Sequence, residues 1–198
     1  PTIDTKSVDI IVKFMRNRVG DPKLKFPAVE KDKQVEIWAR LVLMRFDPKE
    51  VNDENLDAIT RYLTGADDGV KVQALQAIAL LGEMAARKLN DVLRLLEDKD
   101  APYQVTVSAI TALGTLGASA KPGLPNMQKF LELKKKELVE KKKELAAKKE
   151  DLKLIGEVAA LEAIIKLLED AIKFVEAAKP LSPAELKTDP KTDPSKKP

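Results

Sequence analysis

Apolar positions between residues 70 and 131 recur with a period of 35 residues. Two apolar segments with helical spacing fall inside each period, and glycine follows the first segment both times. Matched pairs are Val70 and Val105, Ala74 and Ala109, Leu81 and Leu116, Gly82 and Gly117, and Leu89 and Leu124. A repeat of this length built from helix pairs predicts a stacked α-solenoid.

The same spacing, read along the whole chain, predicts the other helices. We expect helices over residues 7–18, 34–46, 53–63, 68–81, 85–96 and 102–116, and a long helical segment from Pro125. Residues 21–33 contain two prolines and are predicted to form a loop. The first helix has no partner before it, so it is interpreted as the second helix of a truncated unit. Residues 34–63 form a diverged unit.

Beyond residue 131 the pattern changes to heptads. Leucines recur every seven residues along a lysine-rich segment, at Leu131, Leu138, Leu145 and Leu152. A second segment alternates apolar residues by four and three, which is typical of a coiled-coil seam. That seam contains Leu154, Val158, Leu161, Ile165, Leu168, Ile172 and Val175, and a parallel apolar line contains Ile164, Leu167, Ala171 and Phe174.

Two arrangements would bury these apolar lines. In a hairpin the chain turns between residues 149 and 157, with Gly156 as the best helix breaker. Leu138, Leu145 and Leu152 then face Val175, Leu168 and Leu161. In the alternative, one continuous helix of about 54 residues, roughly 80 Å long, dimerises through its distal half. We favour the hairpin, because it lets a narrow and a broad apolar stripe cover each other. The parallel line of Ile164, Leu167 and Phe174 would then be left for a partner or for the last repeat unit.

The broad stripe is the candidate partner-binding region. Each fully buried Leu or Ile contributes roughly 1.5–3 kcal/mol, so an apolar surface of this width requires a partner. The candidate partner-binding residues are Leu161, Ile164, Ile165, Leu167, Leu168, Phe174 and Val175. The expected partner is another protein or a second copy of this chain, with no small-molecule substrate.

The repeat motifs resemble a known family. Leu96-Glu97-Asp98-Lys99-Asp100, Val105, Ala109, Ala112-Leu113-Gly114 and Leu116-Gly117 resemble HEAT repeats of the phycobilin-lyase-like type. This sequence departs at the arginine position of that pattern, which is Lys71 in one unit and Thr106 in the next. The resemblance implies an α-solenoid that acts as a binding surface or scaffold, and the family also includes lyase subunits.

The fold class is therefore predicted as all-α, a short HEAT-like solenoid followed by a long C-terminal hairpin or coiled-coil segment. We place the repeat domain at residues 1–131 and the two long helices at 132–179. Residues 180–198 are rich in proline and charge, so they are predicted to be a disordered tail.

The amino-acid composition excludes several kinds of catalytic and metal-binding site. The chain has no His and no Cys, which excludes histidine- or cysteine-ligated zinc, thiol nucleophiles, disulfides and histidine-based triads. Carboxylates are abundant but sit among lysines at helix-surface spacing, so we predict neither an enzyme nor a cofactor. Asp67, Asp68, Asp98 and Asp100 are interpreted as helix caps rather than a calcium site. The aromatic residues Trp38, Tyr62 and Tyr103 are interpreted as packing residues.

Charge is concentrated in the lysine-rich helix. Lys134, Lys135, Lys141 and Lys142 are candidate anion-binding residues, but interleaved glutamates dilute their field. We do not expect nucleic acid as the partner. Apolar runs are too short to cross a bilayer. The sequence starts at Pro1 without a methionine and has no cysteine. From these two features we favour an exported or periplasmic location over a cytoplasmic one.

The sequence alone is compatible with three functions. The preferred one is a non-enzymatic protein-interaction scaffold. The alternatives are an accessory structural subunit of an enzyme complex, and weak binding of an anionic surface or nucleic acid through the lysine-rich helix.

Overall fold

A computed structural model describes residues 5–20, 31–65, 67–98, 100–148 and 150–180, and every regular element in them is helical. This confirms the predicted all-α class. The α-helices are α1 (Thr5–Val19), α2 (Lys33–Phe46), α3 (Asp53–Thr60), α4 (Asp68–Leu81), α5 (Leu89–Glu97), α6 (Tyr103–Thr115), α7 (Leu124–Ala147) and α8 (Leu152–Ala177). Short 3₁₀ segments span Pro48–Glu50, Arg61–Leu63, Gly82–Lys88 and Gly117–Gly123. The predicted tail, from residue 181 onward, lies outside the described residues.

The sequence period is also a structural period. Helices α2, α4 and α6 begin at Lys33, Asp68 and Tyr103, and α5 and α7 begin at Leu89 and Leu124. Each of these starts is separated from its equivalent by the 35-residue repeat. Each unit therefore supplies a first helix and a second helix in the same order, as the apolar pattern predicts.

Glycine recurs after α4 and α6 because the backbone there requires a positive φ. Gly82 has φ 54° and Gly117 has φ 58°, a region that side-chain-bearing residues rarely adopt. At Gly117 a Cβ atom would also lie 2.7 Å from Oε1 of Glu83. The same Glu83 oxygen accepts a hydrogen bond from the Ala118 backbone at 3.1 Å, so this turn is locked to the preceding unit.

Aspartate caps the first helix of two units. Asp32 accepts hydrogen bonds from the backbone of Gln34 and Val35, and Asp67 accepts one from Val70. These bonds satisfy amides that the start of a helix leaves without a partner. The prediction that Asp67 is a cap is confirmed. Asp68 is instead the first residue of α4, and the predicted caps Asp98 and Asp100 do not cap α6, which starts after Pro102 without a side-chain cap. Asp98 accepts a hydrogen bond from the Asp100 amide within the turn.

Equivalent positions of neighbouring units touch one another. The Trp38 indole N–H donates to the Gln73 side chain at 3.2 Å, and Arg45 donates to the Leu80 carbonyl at 3.4 Å. Both pairs are separated by one repeat. The first helices therefore lie side by side in one layer, which is how a solenoid stacks its units.

One continuous apolar core joins α2 to α8. Its fully buried members include Leu56, Ile59, Leu75, Ile78, Ile110, Leu113, Leu116, Met127 and Leu168. Helix α1 packs on α2 through a separate small cluster made by Val12, Val19, Ala39 and Leu43. The first helix is thus an extension of the stack, covering the outer side of α2.

Helices α7 and α8 form an antiparallel hairpin. Three ion pairs join them, Lys135 with Glu169 at 3.0 Å, Lys142 with Glu162 at 2.7 Å, and Lys141 with Glu157 at 2.9 Å. Lys135, in the first half of α7, pairs in the second half of α8, whereas Lys141 and Lys142, later in α7, pair in the first half of α8, so the two helices run in opposite directions. The favoured hairpin is therefore the arrangement that the structure adopts.

The hairpin turns earlier than the glycine suggested. Helix α7 ends at Ala147, and Asp151 caps α8 by accepting hydrogen bonds from the Lys153 and Leu154 amides. Gly156 lies inside α8, so the prediction that it breaks the helix is wrong. The earlier turn also shifts the register, and Leu152 is 83% exposed instead of facing Leu161. An N-capping carboxylate outweighed the weak helix propensity of a single glycine.

Helix α8 docks on the solenoid and extends its first-helix layer. A Cβ atom on Gly114 of α6 would lie 3.6 Å from the Ala171 side chain, so the two helices approach closely. The C-terminal half of α8 supplies Ile164, Leu168, Ala171, Ile172 and Val175 to the main core. Residue 131, where the sequence suggested a domain boundary, lies within the unbroken helix α7.

Candidate interaction surface

One row of exposed and half-exposed side chains along α4 and α6 carries no charge, whereas the charged residues of α4, Asp68 and Lys71, pair with each other in its first turn. Between Asp100 and Lys121 the sequence has no Asp, Glu, Lys or Arg, in a chain that is 34% charged. The exposed or half-exposed residues of this side are Gln73, Gln76 and Leu80 of α4, and Gln104, Ser108, Thr111 and Thr115 of α6. We call these residues, together with Trp38 at their edge, the uncharged face.

Apolar groups are distributed over the uncharged face. Leu80 is 55% exposed and Trp38 is 37% exposed. The hydrogen bond from Trp38 to Gln73 fixes the indole ring against the neighbouring unit. Arg45, whose guanidinium reaches the Leu80 carbonyl, marks the border of the face.

The two threonine hydroxyls of the uncharged face donate to carbonyls of their own helix. Thr111 donates to the Val107 carbonyl and Thr115 donates to the Ala112 carbonyl, both at 2.9 Å. Such groups keep a hydrogen bond when water is removed from above them, so covering them costs less than covering unpaired polar groups. The surface is therefore polar enough to be hydrated and still easy to desolvate.

A buried polar cluster lies in the first unit. Glu36 is 7% exposed, and its carboxylate accepts hydrogen bonds from Arg40 at 2.9 Å and from Arg61 and Tyr62 at 2.6 Å each. Burial raises the pKa of Glu36, but the hydrogen bonds from Tyr62 and Arg40 and the two positive charges outweigh it and hold the pKa below its ordinary value. Glu36 is therefore a fixed anion within the fold.

The cluster continues to α1 through a relay of side chains. Arg40 donates to Asn55 at 2.6 Å, and Asn55 donates to the Glu50 carboxylate at 3.0 Å. Arg16 of α1 then donates to Glu50 and to Asp47, the latter at 2.9 Å. These bonds attach α1 to the first unit. The polar side chains of the relay therefore have a structural role.

The three aromatic residues singled out from the sequence occupy different environments. The Tyr62 hydroxyl is held by Glu36 and Arg61, and burial together with its bond to Glu36 raises the pKa of Tyr62. Trp38 lies at the edge of the uncharged face, and Tyr103 is exposed at the start of α6. The three side chains do not converge on a common pocket.

The candidate partner-binding residues of α8 divide into two groups. Leu161, Ile164, Leu168 and Val175 are buried within the chain, because the earlier turn points them at α6 and α7. Ile165 and Leu167 are half-buried. Phe174 is 60% exposed and is the one large apolar member of this set that remains available to a partner.

Each of the four candidate anion-binding lysines already has an acidic partner. Lys134 pairs with Glu137 and lies over the Phe130 ring, while Lys135 and Lys142 pair with acids of α8. For Lys141 the hydrogen bond to Glu157 raises the pKa of the lysine and lowers that of the glutamate. These pairs are exposed, and the carboxylates reduce the positive field that an anion would meet.

Over the described ranges, no group of three or more acidic side chains is placed to hold a metal ion. Within the same ranges, no helix is long and apolar enough to span a membrane.

Sequence reasoning missed the uncharged face, although its signal was present. The gap without charge between Asp100 and Lys121 can be read directly from the sequence, and within the aligned residues of the preceding unit a shorter gap spans residues 72–82. What the sequence did not reveal was which side of each helix stays exposed.

Comparisons of this chain with family models, with curated proteins and with solved structures found no match.

Proposed function

We propose that this chain is a non-enzymatic interaction module, a short HEAT-like solenoid that binds another protein on its uncharged face. The observation that carries this proposal is the absence of charge from the uncharged face, which runs along α4 and α6 beyond the Asp68–Lys71 pair at the start of α4, in a chain that is otherwise highly charged. The cores of protein interfaces are depleted of charged residues and enriched in aromatic ones. The uncharged face has the first property, and it exposes two large apolar side chains, Trp38 at its edge and Leu80 near one end.

The stacking of the units supports this function. Side-chain bonds one repeat apart, such as Trp38 to Gln73, hold neighbouring helices in fixed register. A rigid surface loses little conformational entropy when a partner binds, which favours affinity for a given contact area. In a solenoid of this kind the frame supplies rigidity, and the exposed residues supply specificity.

The alternatives receive less support. Anion or nucleic-acid binding needs free positive charge, whereas Lys134, Lys135, Lys141 and Lys142 all have glutamate partners. Among the described residues, the buried titratable cluster around Glu36 is occupied by its own hydrogen bonds. A role as an accessory subunit of an enzyme complex would use the same face and is a special case of the proposal.

The proposal predicts that a charge placed on the uncharged face abolishes capture of the partner. The variant is Gln76→Lys, and its matched control is Gln128→Lys on α7, because both residues are exposed glutamines in helices. We expect proteins captured from an extract of the source organism by the native chain to be lost with Gln76→Lys and retained with Gln128→Lys. Burying an unpaired lysine in an interface costs several kcal/mol.

Quantitative mass spectrometry of the captured proteins provides the measurement, and the melting temperature of each variant shows that the fold is unchanged. Equal capture by the native chain and both variants would exclude the uncharged face as the binding surface.

A further inference from the structure

No described residue covers the outer side of α8, the last helix of the stack. Its exposed residues follow one stripe at spacings of three and four, namely Ala159, Glu162, Ala163, Lys166, Asp170, Lys173 and Phe174. We call them the outer stripe. Terminal helices of a solenoid normally present a polar surface to water, but this one exposes an aromatic ring next to small apolar side chains.

Charges along the outer stripe alternate in sign. In order, Glu162 is negative, Lys166 positive, Asp170 negative and Lys173 positive. Within the described residues, Lys166, Asp170 and Lys173 take part in no ion pair, and Glu162 shares a bond with Lys142. When a second α8 runs in the opposite direction, its charges meet this series in reverse order. Each negative charge then lies opposite a positive one, so the outer stripe is complementary to an antiparallel copy of itself.

The apolar residues of the outer stripe favour the same antiparallel alignment as its charges. An antiparallel pair centred at the level of Leu168 places Lys166 opposite Asp170 of the partner subunit, and Lys173 beside Glu162 of the partner subunit. In that alignment Phe174 projects between Ala159 and Ala163 of the partner subunit, where small side chains leave room for a ring. A parallel pair would instead place each charge beside its own copy.

We propose that the outer stripe binds a second copy of this chain, forming a two-fold symmetric dimer through antiparallel α8 helices. The contact is isologous, because the same residues serve on both subunits. It extends over residues 159–177, about 28 Å at 1.5 Å per residue. A contact between two single helices is small, which places the dimer in the weak, reversible class. This inference does not depend on the uncharged face, which lies on other helices.

The first test concerns Phe174. Sedimentation equilibrium of the full chain is expected to show a concentration-dependent dimer. The variant Phe174→Ala is expected to weaken the dimer by at least about tenfold, because the ring is the largest group in the contact. Leu152→Ala is the matched control, since Leu152 is an exposed apolar residue of the same helix outside the overlap. It should leave the dissociation constant unchanged.

The second test fixes the alignment by exchanging charges between subunits. Lys166→Glu and Asp170→Lys are each expected to weaken self-association by about tenfold, because each creates two like-charge contacts across the two-fold axis. In an equimolar mixture the contacts become opposite in sign again, so the two variants should form a heterodimer. Effects within one helix cannot produce this rescue, since mixing leaves each helix unchanged.

Circular dichroism of every variant checks that the helices persist. A native chain that is monomeric at all accessible concentrations overturns the proposal. It is also overturned by a dimer insensitive to Phe174→Ala, or by charge variants that do not recover dimerisation when they are mixed.

Discussion

At the scale of single residues, glycines in this chain have opposite roles that the sequence does not distinguish. Gly117 occupies a backbone conformation with positive φ and lies against Glu83 of the preceding unit. Gly156 lies in the interior of α8 on its exposed side, and a Cβ atom there would meet nothing within 4 Å. The first glycine is required by its turn, whereas the second weakens the helix that contains it.

Replacing Gly156 with alanine is therefore expected to stabilise the protein. Alanine in a helix interior is better than glycine by about 0.5–1 kcal/mol, and no neighbouring atom obstructs the added methyl group. The free energy of unfolding from urea titration should rise by that amount. A decrease would mean that the chain turns at Gly156 and would contradict the position of the hairpin turn. Gly117→Ala serves as the opposing control and is expected to destabilise.

Ionisation of Glu36 is also a residue-scale property with a predictable pH dependence. Its pKa in the folded protein lies below the ordinary value of 4.5, so the ionised carboxylate stabilises the fold above that pH. The contribution is lost as the pH falls through the folded pKa. Glu36→Gln removes the charge that Arg40 requires, and we expect a loss of about 1–3 kcal/mol at pH 7.

Urea titrations of both proteins at pH 7 and at pH 3 provide the test. The difference in unfolding free energy should shrink at pH 3, because below the ordinary pKa of 4.5 the unfolded chain takes up the proton and the stabilisation that comes from the lowered pKa declines. A difference that is independent of pH would show that Glu36 contributes through packing alone.

At the scale of elements, capping decided where the long C-terminal segment divides. Residues 146–153 are mostly good helix formers, and heptad spacing continues across them from Leu145 to Leu152. The chain nevertheless leaves helical geometry after Ala147 and starts again under the Asp151 cap. This shift moves the seam of α8 by several residues relative to a turn at Gly156. It determines which apolar residues become core and which stay exposed.

That division gives an element-scale prediction within α8. Leu168 is fully buried and Leu152 is 83% exposed in the same helix. Leu168→Ala is expected to reduce the free energy of unfolding by about 2–5 kcal/mol, and Leu152→Ala should change it by less than about 0.5 kcal/mol. Thermal and urea unfolding of the two variants provide the measurement. Similar effects at both positions would mean that α8 does not dock on α6.

At the scale of the whole molecule, the C-terminal hairpin is integrated with the repeat stack. The C-terminal half of α8 shares one core with α4, α5 and α6. The C-terminal end of α7 and the N-terminal end of α8 project beyond this core, and ion pairs such as Lys141 with Glu157 join them. The two proposed interaction surfaces, the uncharged face on α4 and α6 and the outer stripe of α8, lie on separate parts of the molecule. Binding another protein at one would leave the other free for a second copy.

The sequence alone determined the helical class, the repeat period and the starts of most helices. These features depend on local spacing, on glycine at positive φ and on capping aspartates such as Asp67, all of which act within a few residues. The width of the apolar stripe on α8 also showed that the helix needed a partner. The sequence did not show that this partner would be the solenoid of the same chain.

Only the tertiary structure decided which surfaces remain for other molecules. Leu168 and Phe174 both belong to the apolar lines of α8, yet the first is buried against α6 and the second is exposed. Likewise, three lysines of α7 pair with glutamates more than 15 residues away along the chain, namely Lys135, Lys141 and Lys142. Exposure and charge compensation depend on the docking of distant helices, and a shift of a few residues at one turn exchanges buried residues for exposed ones.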